Sequence, residues 1–312
     1  MSKIKPDSEM KYRGEYIKRI TKVLEFIDNN LSLELSVENL ANIACFSPYH
    51  FHRIFHSIVG DSVSNYVKKR KLTAAANKLL YSPGATVTAI ALEFGFSSHS
   101  DFSRSFRAYF KTSPTQFVKS KMSRRKLIDS SALSHREAVG IHGKEDSDID
   151  RKIRVISLPD FNVAYVRNVG LSEEYKSTAI ENSFQMLFVW AKARDLVNDD
   201  MQIIGITLDS PEVIPLSECR YDICITVPES IQADGVAGVR KVNANGRYLS
   251  YCFGREDAEF SRIFFQTIDY IYGYWMMTNG YLPDDKPCVE FYRTDRETGN
   301  VIMEFCIPIK PF

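Results

Sequence analysis

Residues 96–118 read FSSHSDFSRSFRAYFKTSPTQFV, and residues 46–67 read FSPYHFHRIFHSIVGDSVSNYV. Laid over one another, they are two copies of one unit. Phe51-His52-Arg53-Ile54-Phe55 returns at an offset of 51 as Phe102-Ser103-Arg104-Ser105-Phe106, Ser62 as Ser113, and Tyr66-Val67 as Phe117-Val118. Just upstream, Leu40-Ala41 and Phe46 match Ile90-Ala91 and Phe96 at an offset of 50. Self-similarity of this kind marks tandem copies of one supersecondary unit.

Each copy reads helix, sharp turn, helix. Ser36 and Thr86 cap helices over 37–44 and 87–94. Gly95 supplies the turn in the second copy, and Cys45 holds that place in the first. Ser47-Pro48 and Ser98 then open the following helices. A helix over 62–80 joins the copies, and an amphipathic helix carrying Ile17, Ile20, Leu24, Ile27 and Leu31 precedes them, after a polar and frayed stretch over 1–13. In the second helix of the first copy, Phe51, Ile54, Phe55 and Ile58 form an inward stripe, which leaves Tyr49, His52, Arg53 and His56 outward. In the second copy Phe102, Phe106, Tyr109 and Phe110 point inward, and His99, Ser100, Ser103, Arg104 and Arg107 outward. A helix-turn-helix sets such an outward face against base edges in the major groove. Arginine suits the paired acceptors of guanine, while serine and histidine make single hydrogen bonds.

The charge distribution agrees. The chain has 312 residues and a formal net charge of +1. Yet Lys and Arg outnumber Asp and Glu by 21 to 10 over residues 1–127 and are outnumbered 19 to 29 beyond. Lys68-Lys69-Arg70-Lys71 adds a cluster suited to phosphates. The chain is long enough for two domains, and its 44% apolar and 25% charged residues fit an ordinary globular protein. No stretch reaches the length of a membrane span, the N-terminus lacks the apolar core of a secretory signal, and the six cysteines form no C-x-x-C pair. These features place the protein in the cytoplasm with reduced thiols, no metal and no cofactor.

Residues 119–152 are charged and serine-rich, a linker rather than a core element. Beyond them the pattern changes to strands at 154–158, 162–166, 203–208 and 220–227 around a helix at 174–193. The order repeats at 246–253, 288–293 and 301–309 around a helix at 258–277. Two βαββ repeats make an α+β domain. Aligning the repeats through Asp209 and Asp295 puts Glu290 in the place of Ile204, a carboxylate where the other copy is apolar. That carboxylate either pairs with an arginine such as Arg293 or Arg247, lies on a solvated face, or waits in an aromatic cleft for a cationic or hydrogen-bonding ligand.

Two resemblances sharpen these readings. Residues 14–121, through SPYHFHRIFHSIVGDSVSNYVKKRKL and VTAIALEFGFSSHSDFSRSFRAYFKTSPTQF, resemble the AraC/XylS DNA-binding domain, and within it the MarA, SoxS and Rob subgroup. The resemblance implies double-stranded DNA bound by a monomer, with contacts from Tyr49, His52 and Arg53 and from His99, Ser100, Ser103 and Arg104. It also implies RNA polymerase as a partner and an activating role. Histidine stands at 52 and 99 where that subgroup favours glutamine, so the docking carries over and the base preference does not. Residues 153–312, through FNVAYVRNVG, GITLDSPEVIPLSECRYDICITVPE, PCVEFYRTD and EFCIPIKP, resemble the GyrI-like effector-binding domain. That implies a cleft for a small aromatic, cationic or amphipathic effector, with Glu290 at its floor and Tyr292, Trp275, Tyr165, Trp190 and Tyr251 as walls. Some stand-alone relatives are hydrolases using a cleft glutamate and an aromatic hydroxyl. The alternatives for this half are therefore a hydrolase or a protein-interaction module. The expected organisation is a DNA-binding domain at 14–121, a linker at 122–152 and an effector domain at 153–312.

Overall fold

A computed structural model describes residues 6–82, 84–121, 149–170, 178–211, 213–254, 260–284, 286–295 and 298–312. The expected linker at 122–152 lies outside the described residues except for a helical turn at 149–152. The chain divides into two compact units, the first made of the residues up to Ser123 together with Ala233–Gly238, the second of the remainder.

Up to residue 121 the first unit is all helical. Helix α1 (Pro6–Asn29) is followed by α2 (Val37–Ile43), α3 (Pro48–Val59), α4 (Val63–Tyr81), α5 (Val87–Glu93), α6 (His99–Phe110) and a last helix, α7, at 114–121. α1 begins at Pro6, well inside the stretch expected to fray. The capping serines and threonine work as expected. Oγ of Ser36, Ser47, Ser62, Ser98 and Ser113 and Oγ1 of Thr86 each accept the amide N–H three residues on.

Each copy needs two left-handed residues, one in the turn and one closing the second helix. The first copy uses Cys45 (φ 53°) and Gly60 (φ 79°), the second Gly95 (φ 74°) and Lys111 (φ 60°). One glycine per copy therefore suffices, and it sits at a different corner in each. α4 holds the copies together. Its N-terminal half gives Val63 and Val67 to a core with Ile20, Val23, Ile27, Leu40, Phe51 and Phe55. Farther along, Leu72, Ala75, Ala76, Leu79 and Leu80 are also buried. In the second copy the rings run from Phe96 to Phe102 to Phe106, at 5.0 and 5.4 Å between centroids, and on to Phe117 at 5.4 Å.

Among its described residues the second unit is a sheet with two long helices. Its strands are β1 (Arg154–Leu158), β2 (Phe161–Val169), β3 (Ile203–Thr207), β4 (Arg220–Thr226), β5 (Gly238–Val242), β6 (Gly246–Gly254), β7 (Tyr281–Pro283), β8 (Cys288–Thr294) and β9 (Val301–Pro311). Helix α8 (Thr178–Lys192) lies between β2 and β3. Helix α9 (Phe260–Tyr270) lies between β6 and β7 and continues through a π-helical turn, Ile271–Trp275, to Thr278. The strand order is β1-β6-β9-β8-β3-β4-β2-β5, and β7 pairs with the C-terminal end of β9.

The two expected βαββ repeats are β2-α8-β3-β4 and β6-α9-β8-β9, meeting at the β3–β8 pair. Each has a further strand at its front, and these leading strands are exchanged. β1 pairs with β6 of the second repeat, and β5 lies beside β2 of the first.

Candidate functional site

The outward faces of α3 and α6 carry the residues expected there. Tyr49 (66% exposed), His52, Arg53 and His56 are exposed on α3. The guanidinium of Arg53 donates to the Tyr49 hydroxyl at 3.1 Å and leans over its ring, so the two residues are set as a pair. On α6, His99, Ser100, Arg104 and Arg107 are exposed and Ser103 is half-buried, and together they line a shallow open depression. Arg104 lies 3.4 Å from Asp101, whose other oxygen accepts from Ser97, and these hydrogen bonds help to hold the Asp101 carboxyl below its usual range against the opposing effect of burial.

Two expectations change. Ile58 is 40% exposed, so the inward stripe of α3 ends at Phe55. The basic run on α4 is largely engaged within the fold. Lys69 pairs with Asp61 at 2.9 Å, Arg70 with Asp28 of α1 at 2.8 Å, and Lys71 donates to the Leu33 carbonyl at 3.0 Å. Lys68 is the exposed member of the four. A run of four successive residues on a helix points to every side, so its charges cannot form one surface.

In the second unit the pleat decides which side chains meet. Cross-strand partners share a face, and successive residues alternate. Glu290 stands across from Gly205, and Phe291 across from Ile204. Ile204 and Glu290 therefore lie on opposite faces, so the alignment through Asp209 and Asp295, which gave Glu290 the place of Ile204, does not keep the faces of the repeats in step. The face bearing Glu290 also bears Thr207, Tyr221 and Tyr292. Both helices cover it. Ser183 of α8 donates to Asn168 on that face at 2.8 Å, and Phe264 of α9 packs against Phe253 and Phe305 there.

Glu290 is 2% exposed. The hydroxyls of Tyr221 and Tyr292 each donate to its Oε2 at 2.5 Å and lie 3.0 Å apart, while Thr207 Oγ1 donates to Oε1 at 3.3 Å. Burial first, and then the Glu290 carboxylate, push the Tyr221 hydroxyl well above the ordinary phenol range, so it remains a donor. Gly205 makes the approach possible. A Cβ there would fall 1.9 Å from the Tyr221 hydroxyl and 2.9 Å from Glu290 Oε2. Arg293 turns to the other face and donates to Cys252 Sγ at 3.7 Å.

The expected walls divide. Tyr292 touches Glu290 directly. Tyr251 lies on the same face in the same cross-strand row, with Phe305 between them. Trp275, on the π-helical turn, packs beside the α9 core and stacks on Tyr281 at 5.8 Å. Trp190 is buried under the Arg194 guanidinium, 4.4 Å above its ring. Tyr165 is a correction: it pairs with Cys224 on the opposite face. There its ring lies within 5.4 Å of Arg167 and Arg240, which share the fully buried Asp222. Sequence reasoning missed Tyr221 and Thr207. Tyr221 sits in a strand, RYDICIT, buried from Arg220 to Ile225 on both faces, so alternation gave no signal for it.

Two arginine-bearing helix faces in duplicated helix-turn-helix units, joined in one chain to a sheet with a buried carboxylate beneath two helices, define a DNA-binding regulator with a ligand-type domain. Residues 40–120 match a helix-turn-helix domain family, and residues 151–310 match the GyrI-like small molecule binding domain. The chain belongs to the AraC-type transcription regulators and carries a GyrI-like domain. It is 37% identical over 99 residues to the uncharacterized HTH-type transcriptional regulator YbfP of Bacillus subtilis (strain 168), a match covering 32% of this chain and 33% of that protein. It is 33% identical to the HTH-type transcriptional activator AarP of Providencia stuartii, over 31% of this chain and 72% of that one. Among solved structures it is similar to the DNA-binding domain of AdpA in complex with a target DNA, at 25% identity and a TM-score of 0.33, over 35% of this chain and 97% of that one. No helix among the described residues is long and apolar enough to cross a membrane.

Proposed function

We propose that this regulator is an activator that binds a bipartite DNA site as a monomer and recruits RNA polymerase, and that a small aromatic, cationic or amphipathic effector enters its C-terminal cleft. The observation that carries the DNA half is the pair of outward faces, Tyr49-His52-Arg53 on α3 and His99-Ser100-Ser103-Arg104 on α6. Helix α4 between them has 19 residues. At 1.5 Å per residue it is ~28 Å long, against ~34 Å for one turn of B-DNA, so the two faces suit successive major grooves. The activator reading is supported by the description of AarP. Inserting half a helical turn between the two half-sites is expected to abolish the gel shift, and an unchanged shift would overturn the bipartite reading.

The effector half rests on Glu290, a buried carboxylate held by three hydroxyl donors. Hydroxyls rotate, so a ligand ammonium or N–H can replace one donor without leaving the carboxylate bare. The measurement is the affinity of cationic dyes for Glu290→Gln, expected to fall at least tenfold. Unchanged affinity would place the effector elsewhere.

A further inference from the structure

Between the two helix-turn-helix copies lies an open groove of about 540 Å³. Its apolar lining comes from three places: Leu33 and Leu35 ahead of α2, and the exposed edges of Val67 on α4 and of Phe94 and Phe96 around the turn of the second copy. Lys68 and Lys71 add two ammonium groups from the same helix. Lys71 is the unusual one. Its Nζ donates to the Leu33 carbonyl and lies so close to the second turn that a Cβ on Gly95 would meet it at 3.1 Å. An ammonium carries three donors. Desolvation lowers the Lys71 pKa, opposed by Glu34 at the rim. The other acidic lining residue, Asp101, is already bonded to Ser97 and Arg104.

We infer that this seam binds a small organic anion: a carboxylate set on Lys71 and Lys68, with an apolar body against Leu35, Val67, Phe94 and Phe96. The apolar lining selects an amphiphile over a bare phosphate, whether free or in the DNA backbone. The site is separate from the Glu290 cleft and of opposite charge preference.

The test is titration of the full chain with sodium octanoate, followed by calorimetry and by amide NMR shifts. Octanoate is expected to bind saturably, to shift the amides of Leu33, Gly95 and Phe96, and to bind Glu290→Gln equally well. Lys71→Met, which keeps the apolar stem, is expected to weaken binding at least tenfold, and Lys68→Gln a few-fold. Octylammonium is expected not to displace octanoate. The inference is overturned by shifts confined to the Thr207–Tyr221 region, by unchanged affinity in Lys71→Met, or by equal displacement with inorganic phosphate. Should Lys71→Met not fold, the shift map on the native chain decides alone.

Discussion

The Tyr221 hydroxyl donates to Glu290 at 2.5 Å, although the two residues stand 69 positions apart and belong to different repeats. The bond joins the halves of the sheet at their seam, across the β3 strand that carries Gly205. Removing the hydroxyl leaves a buried carboxylate with one donor fewer. Tyr221→Phe is expected to lower the stability of the second unit by about 1–3 kcal/mol in urea unfolding.

The same bond has a pH signature. The folded Tyr221 pKa lies well above the ordinary value of 10.0. Below pH 10 both folded and unfolded forms keep the proton, and the stabilisation is complete. Above it the unfolded state loses the proton first, so stability falls as pH rises toward the folded pKa. Unfolding midpoints measured from pH 8 to 11 are expected to be flat and then to decline. Tyr221→Phe is expected to decline less steeply.

Gly205 can be tested against its neighbour. With a Cβ 1.9 Å from the Tyr221 hydroxyl, Gly205→Ala is expected to cost about 1–3 kcal/mol or more in thermal or urea unfolding. Adding Tyr221→Phe removes that contact but not the one at 2.7 Å to the ring carbon. The double variant is therefore expected to recover part of the loss. Strict additivity would mean that the two residues do not meet.

Cys45 pays a conformational penalty that its counterpart Gly95 does not. A side chain in the left-handed region costs roughly 1–2 kcal/mol. Cys45→Gly is expected to stabilise the first unit by up to about 1 kcal/mol, since part of the gain is lost to the freer unfolded chain. The Arg19 bond to the Cys45 carbonyl does not involve the side chain and is retained.

The charges of the first unit separate by role. Arg104→Ala is expected to cost about 1–3 kcal/mol of DNA affinity and to relax preference at one base pair. Lys68→Ala is expected to weaken all sequences alike and reduce the salt slope by about 1. Arg70→Ala, which breaks the pair with Asp28, is expected to show mainly as lost stability. Binding measured across a salt series, with melting curves alongside, distinguishes the three.

The helical half was legible because its signals are local. Caps lie three residues from the amides they satisfy, and the inward rings recur within one helix, so Ser98, Phe102 and Phe106 could be placed from their own neighbourhood. Glu290 was visible as an anomaly in one strand. Tyr292, two residues on in the same strand, was visible with it; Thr207 and Tyr221 were not, because they reach it through a register fixed by loops of different length. In a period of two, an error of one residue moves a side chain to the other face. The offset that matched Ile204 to Glu290 failed in this way, whereas Tyr165 came from the resemblance, which assigns no face to it.

The exchanged leading strands bear on how the protein is made. β1 emerges early from the ribosome, but its partner β6 ends only at Gly254, and β9 must still arrive on the far side of β6. Neither repeat can close its sheet alone, so the sheet cannot be completed during early synthesis. The helical core that runs from Ile20 to Val67 draws on a short span of chain and can close well before. A growing chain thus closes the core beneath α3 first, while the sheet that buries Glu290 is still unmade.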